Sequence, residues 1–159
     1  MVSPFAPAVA VDEAAVRAAL AEVTDPEIPA ISILDLGIVE RVEVRGGTIT
    51  VGLLPTFVGC PALEAIRAAV TERLAVFGRP VSVEFGFSVP WTSDRITARG
   101  RERLRDAGFA PPVQDPVETR CPHCGSSDVV LDNLFGPTQC RSVHYCRACR
   151  QPFESFKSV

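Results

Sequence analysis

The chain has 159 residues and a formal net charge of −3 at pH 7, room for one domain of about 110 residues plus a small appendage. So small a charge dictates no nucleic-acid or membrane partner, and 47% hydrophobic residues with 7% aromatics suit a compact, soluble, Ala/Val-rich globule. The opening residues 1–11 are apolar but short, lack a basic start and are interrupted by Pro4 and Pro7. A flexible N-terminus over 1–11 is therefore expected, with no signal peptide and no membrane span, and the cytoplasm is the default compartment.

Asp12 can cap a first helix whose Val16, Ala19, Leu20 and Val23 share one face. Pro26 and Pro29 stop it. Val42 and Val44, then Ile49, Val51 and Leu53, alternate with polar residues or glycine on either side of Gly46-Gly47. That pattern predicts a hairpin, because glycine takes two positive φ values cheaply. After Cys60-Pro61 a second helix is predicted with Leu63, Ile66, Val70, Leu74 and Phe77 inward, ending at Gly78. Val81, Val83, Phe85 and Phe87 read as a third strand. A last helix spans Asp94 to Ala107, with Gly100 its weak point. Its Arg95, Arg99, Arg101, Arg103 and Arg105 read either as a solvated face paired with Glu102 and Asp106 or as a docking surface for an acidic partner. The order α-β-β-α-β-α over 12–109 is followed by a Pro-rich linker at 110–119 and a Cys-rich module at 120–159.

That module holds Cys121-Pro-His-Cys124 and Cys146-Arg-Ala-Cys149, two Cys-x-x-Cys pairs separated by 21 residues. Each pair turns tightly enough to present two sulfurs to one tetrahedral ion, the zinc-ribbon pattern. Gly125 permits the positive φ such a knuckle needs. A segment this small buries little core, so the ion holds it folded. Two disulfides are the alternative, which a reducing compartment disfavours. Cys140 is a fifth thiol, either spare or an exchanging ligand, and it keeps iron or an iron–sulfur cluster in competition with zinc. His123 and His144 are expected to face solvent or cap the knuckles rather than ligate.

Outside the ribbon, Cys60 sits at the mouth of the second helix, where backbone N–H groups and the dipole favour a thiolate able to bind a soft metal or exchange a cluster. The alternative is a cysteine packed as a small apolar residue. Asp25 and Glu27 suit a turn, and Asp35, between Leu34 and Leu36, needs a partner for its charge. There is no Ser-His-Asp arrangement and no glycine-rich phosphate loop, so an autonomous enzyme has little support. The tail carries 10 basic against 8 acidic residues over 94–159, too slight an excess for a nucleic-acid surface.

Asp25-Pro-Glu-Ile-Pro29, Ile33-Leu-Asp-Leu-Gly37 and Pro55-Thr-Phe-Val-Gly-Cys-Pro61 resemble the domain of iron–sulfur cluster assembly factors of the SufT and cytosolic-targeting type. With Trp91-Thr-Ser-Asp-Arg-Ile-Thr97, Phe135-Gly-Pro-Thr-Gln-Cys140 and the two cysteine pairs, nearly the whole chain after residue 11 resembles the PaaD/PaaJ family, a component of bacterial phenylacetyl-CoA epoxidase (a phenylacetate-CoA oxygenase). The resemblance implies an α/β fold, consistent with the element order above, and a non-catalytic maturation factor in aerobic phenylacetate catabolism. It would help the di-iron oxygenase or the iron–sulfur flavoprotein reductase acquire iron or a transient cluster. It places the reactive cysteine on Cys60 and the acidic motif positions on Asp25, Glu27 and Asp35. It also implies the epoxidase subunits as partners and, since such domains often pair, a homodimer. The rival reading is a structural or docking component with a zinc-stapled interaction module.

Overall fold

Asp12 starts the folded chain by accepting a hydrogen bond from the Ala15 N–H at 2.8 Å, which caps helix α1 (Glu13–Leu20). The computed structural model describes residues 11–57 and 59–159, so the terminus expected to be flexible lies, apart from Val11, outside the described residues. Helix α1 buries Val16, Ala19 and Leu20, and the proline-containing loop after it continues the core with Ile28, Ile31, Ile33 and Leu36. Strands β1 (Val39–Arg45) and β2 (Thr48–Leu53) pair antiparallel through Gly46 and Gly47, whose φ values of 57° and 81° are the pair the hairpin requires.

Helix α2 (Ala62–Leu74) then crosses over to β3 (Val81–Phe85), which lies parallel to β2, giving the sheet order β1-β2-β3. Its buried stripe is Ala62, Ile66, Val70 and Leu74, whereas Leu63 and Phe77, expected inward, are only part-buried. Each of the fully buried aliphatics contributes about 1.5–3 kcal/mol by leaving water. A Leu74→Ala change would cost about 2–5 kcal/mol. The third strand stops at Phe85, and Phe87 is 67% exposed rather than inward. The last rung is the Gly86 N–H to Leu53 carbonyl at 2.8 Å, after which Pro90 redirects the chain.

The predicted last helix is broken in two. A single 3-10 turn (Ser93–Arg95) gives way to an extended Ile96, and helix α3 (Ala98–Asp106) begins afresh. The cause is Thr97, whose hydroxyl accepts from the Gly100 N–H at 3.0 Å and so sets a new helix start. Gly100 is a point of close approach rather than of weakness: a Cβ there would lie 2.6 Å from the Asp35 carbonyl oxygen. Three of the five arginines hold the chain together, which corrects their reading as a solvated or docking face. Arg95 donates to the Gly37 carbonyl, Arg99 to Asp35, and Arg101 to the carbonyls of Ser93 and Pro112.

Strand β4 (Phe109–Ala110) pairs parallel with β7 (Pro152–Phe156), which continues through β6 (Arg141–Cys146) to β5 (Val129–Asn133), in the order β4-β7-β6-β5. The first residue of the expected linker is thus a strand of the second sheet. A short turn (Pro116–Glu118), capped by Asp115, leads on to the first cysteine pair. The two sheets share packing: Trp91 donates to the Leu36 carbonyl at 3.0 Å and its ring lies 5.8 Å from that of Phe156. Phe156 and Cys140 are buried with the first core, while Ala110, Cys121, Cys146 and Phe153 form a second, smaller one. Among the described residues no helix is long and apolar enough to cross a membrane.

Candidate metal centre and cysteine cavity

The two knuckles close as their spacing predicts. The Gly125 N–H bonds to the Cys121 carbonyl at 2.9 Å, with Gly125 at φ 75°. In the second knuckle the left-handed position falls on Arg150, at φ 59°. Cys121, Cys124, Cys146 and Cys149 bring their sulfurs within 4.8 Å of one another. Cys121 Sγ lies 3.6 Å from Cys149 Sγ, and Cys124 Sγ 3.6 Å from Cys146 Sγ. A tetrahedral ion with metal–sulfur bonds of about 2.3 Å needs sulfurs about 3.8 Å apart, so the four thiols fit one ion. The Cys149 N–H draws the Cys146 thiol down to about 7, while desolvation and its neighbours push Cys149 up to about 12.

The histidines stand outside this set. His123 is exposed, as expected. His144 is not: it is buried, with Nε2 3.0 Å from Ser142 Oγ and its ring stacked on Phe153 at 5.4 Å. Burial holds its pKa below the usual imidazole value, which corrects its assignment to a solvent-facing or knuckle-capping role.

Cys140 also departs from its expected place. It is not among the four clustered sulfurs and is not a ribbon ligand in this arrangement. Instead it packs against the first core and lines a cavity of about 300 Å³ together with Cys60 and Glu27. Phe57, Phe135 and Thr138 complete much of the wall. Cys60 arrives there on the turn that enters α2, its N–H bonded to the Phe57 carbonyl at 3.3 Å. Cys140 arrives on a turn closed by the Arg141 N–H to Thr138 carbonyl bond at 3.1 Å, and Thr138 Oγ1 lies 3.1 Å from its sulfur.

The electrostatics of Cys60 run against the expectation from its position. The Ala62 N–H does bond to the thiol and favours its ionised form. Burial outweighs that donor, and the negative charges of Glu27 and Asp25 add to the penalty, so the thiol is pushed up rather than down. Burial and the same two carboxylates also raise Cys140. Glu27 is itself raised, first by burial and then by Asp25. In both thiols these surroundings favour the protonated form.

The three carboxylates part company. Glu27 lines the cavity. Asp25 holds the turn that carries Glu27, one oxygen accepting from the N–H groups of Glu27 at 2.8 Å and Ile28 at 3.0 Å. Asp35 does not join them, which corrects its grouping with Cys60. It is 4% exposed and accepts from Ser32 Oγ, from Thr97 Oγ1 at 2.9 Å and from Arg99 Nε at 3.0 and 3.1 Å. Burial opposes its ionisation, but these donors prevail and hold its pKa below the ordinary carboxylate value. Its partner is helix α3. Sequence reasoning missed that Cys140 lines the same cavity as Cys60; the one available signal was that Cys140 falls outside both Cys-x-x-Cys pairs.

Residues 110–157 match the family model described as a PaaD zinc beta ribbon domain, and residues 13–85 match that of an iron–sulfur cluster assembly protein. The chain is 40% identical over 149 residues to an Escherichia coli (strain K12) protein provisionally named as a subunit of 1,2-phenylacetyl-CoA epoxidase, covering 89% of this chain and 90% of that one. It is 32% identical over 102 residues to an iron–sulfur cluster carrier protein of Mycobacterium leprae (strain TN), spanning 64% of this chain and 26% of that relative. Among solved structures, it resembles a domain of unknown function (DUF59) from Bacillus anthracis with a TM-score of 0.54 and 25% identity, covering 58% of this chain and 90% of that one. A conserved hypothetical protein of Thermotoga maritima gives a TM-score of 0.51 and 27% identity, over 59% and 94% of the two chains. The expected α/β fold with a ribbon module is borne out.

Proposed function

The chain belongs to the PaaD family of phenylacetyl-CoA epoxidase components, and from that premise we propose that it is a non-catalytic maturation factor of that system. It assists iron or an iron–sulfur cluster on its way to the oxygenase or reductase component, with Cys60 as the sulfur that meets the cargo. The observation that carries this reading is the placing of Cys60 and Glu27 on one open cavity, with the charge of Asp25 also acting on the Cys60 thiol. Such surroundings disfavour a bare thiolate and favour a thiolate bound to a cation. The site therefore takes up metal with release of a proton and holds nothing reactive while empty of cargo.

The four ribbon cysteines have another task. Their all-sulfur, closed arrangement suits zinc, and the ion there supplies no chemistry beyond tying the two knuckles together. A second reading, a docking component without transfer chemistry, draws on Phe135, 74% exposed on the ribbon side of the cavity, and its chain neighbour Leu134, 54% exposed. One experiment separates the two. Cys60→Ser is introduced in the host, and the oxygenase and reductase components are isolated for iron and acid-labile sulfide analysis. Transfer through Cys60 predicts under-loaded components in a complex that still assembles. Normal loading in an intact complex would remove the transfer role and leave the docking one.

A further inference from the structure

We propose that residues 135–140 are a movable flap over the Cys60 cavity, and that Lys157 is the positioning residue that latches it shut. The proposal rests on the reading of Cys60 given above and adds a control of access to it: the way to Cys60 widens when the flap lifts.

The segment is a wall with few fastenings. It joins β5 to β6 just beyond the point where their pairing turns irregular, between Leu131 and Asn133, and Phe135 through Cys140 line the cavity. Most of its hydrogen bonds are its own. The Phe135 N–H bonds to Asn133 Oδ1 at 2.9 Å, the Gly136 N–H to the Arg141 carbonyl at 2.9 Å, and the Arg141 N–H to the Thr138 carbonyl at 3.1 Å. Gly136 makes the second of these possible, because a Cβ there would lie 2.9 Å from the Arg141 carbonyl oxygen. Bonds of this internal kind let the segment move as one piece about its two ends. Among the described residues, no hydrogen bond ties it across the cavity to Glu27, Phe57 or Cys60, and its hydrogen bonds to the chain beyond 133–141 all come from Lys157.

Lys157 follows β7 directly and reaches both ends of the flap. Its N–H bonds to the Cys140 carbonyl at 2.8 Å, its Nζ donates to the Gln139 carbonyl at 2.9 Å, and the same Nζ lies 5.2 Å from the centre of the Phe135 ring. With the flap shut, Cys140 packs as a small apolar side chain against the first core. Phe135 is largely exposed, so lifting the flap uncovers little apolar surface there. What holds the closure is therefore one buried thiol, two hydrogen bonds and one cation over a ring, each individually weak. A reversible closure needs that balance. Burial raises the Cys140 and Cys60 thiols, so a lifted flap leaves sulfurs that are both easier to reach and easier to ionise.

The test uses the full chain, reduced and carrying one zinc. Labelling by iodoacetamide at pH 8 is read for each cysteine by mass spectrometry, with amide hydrogen exchange in parallel. Lys157→Met keeps the aliphatic stem and the backbone N–H and removes the ammonium. Cys140 and Cys60 should then label at least about fivefold faster, and the amides of Gly136, Arg141 and Lys157 should exchange faster while those of β1 and β2 do not. Taking a positive charge from beside a thiol slows labelling by itself, so a faster rate reports opening. Lys157→Arg keeps a cation and a donor and should restore the wild-type rates. Gly136→Ala, which crowds the Arg141 carbonyl, should quicken Cys140 by an independent route. Unchanged labelling in a Lys157→Met chain that retains zinc, faster exchange spread over β1 and β2, or no rescue by arginine overturns the proposal. Unchanged labelling, with Cys60→Ser still under-loading the epoxidase components, would remove the flap and keep the transfer function; normal loading with Cys60→Ser would remove that function whatever the flap does.

Discussion

Replacing Asp35 by Asn tests whether this carboxylate anchors helix α3 or serves the cysteine cavity. Asparagine keeps the shape but turns one acceptor oxygen into a donor facing donors. The hydroxyls of Ser32 and Thr97 can rotate to accept; the Arg99 guanidinium cannot. A hydrogen bond to a charged group is worth about 1.5–3 kcal/mol, and Arg99, 62% exposed, belongs at the low end because water screens it. With the mispaired hydroxyls added, the expected loss at pH 7 is about 2–3 kcal/mol, or a Tm lowered by roughly 4–12 °C for a chain of this size. The pH dependence has a definite sign. The folded-state pKa is depressed, so the stabilisation is complete above the unfolded-state value of about 3.9 and is lost as pH falls through the folded one. The gap between wild type and variant should therefore be widest near neutrality and shrink toward pH 3. Urea unfolding followed by the single Trp91, which donates to the Leu36 carbonyl beside Asp35, measures it directly. A variant within about 0.5 kcal/mol of wild type, or a gap that does not change with pH, would refute the anchoring role.

Gly100→Ala drives a methyl group against the Asp35 carbonyl and should cost about 1–3 kcal/mol in the same unfolding assay; a neutral result would mean that the helix start yields freely. Cys124→Ser leaves three sulfurs in the ribbon, so zinc retained after dialysis should fall sharply and amides of β5, β6 and β7 should lose hydrogen-exchange protection, whereas Cys140→Ser should leave both unchanged. Because burial and two carboxylates raise the Cys60 thiol, its alkylation by iodoacetamide, followed by mass spectrometry on zinc-bound protein, should lag a free cysteine peptide at pH 7.5 and keep rising past pH 9. Glu27→Gln removes one of the opposing charges and should quicken the reaction at pH 8; faster labelling of the wild type than of the peptide would show that the helix-start donor prevails.

Elements specified by neighbouring residues were legible in the sequence. Asp12 capped its helix, Gly46-Gly47 made the hairpin, and the two cysteine pairs closed into one cluster. What the sequence concealed was decided by distant partners. Thr97 breaks a helix that periodicity would continue, and it does so while donating to Asp35, 62 residues earlier. Asp35 looked like a site residue because its charge needed company, and the company proved to be an arginine on α3. The dipole argument for Cys60 was right about the donor and silent about Glu27 and Asp25, which a separate loop brings close. Cys140 looked like part of the ribbon because its sequence neighbours are, yet its sulfur belongs with the first core.

The parallel pairing of β4 with β7 bears on how the molecule is made. Ala110 leaves a ribosome long before Ser155, the residue it lies beside. While the chain is still growing, the first module can already have collapsed around Cys60 with one side of its cavity missing. Residues 135–140 supply that side, and the Lys157 N–H, bonded to the Cys140 carbonyl, fastens it later still. A nascent chain thus carries Cys60 as its one thiol for a time, with its cavity still open on one side.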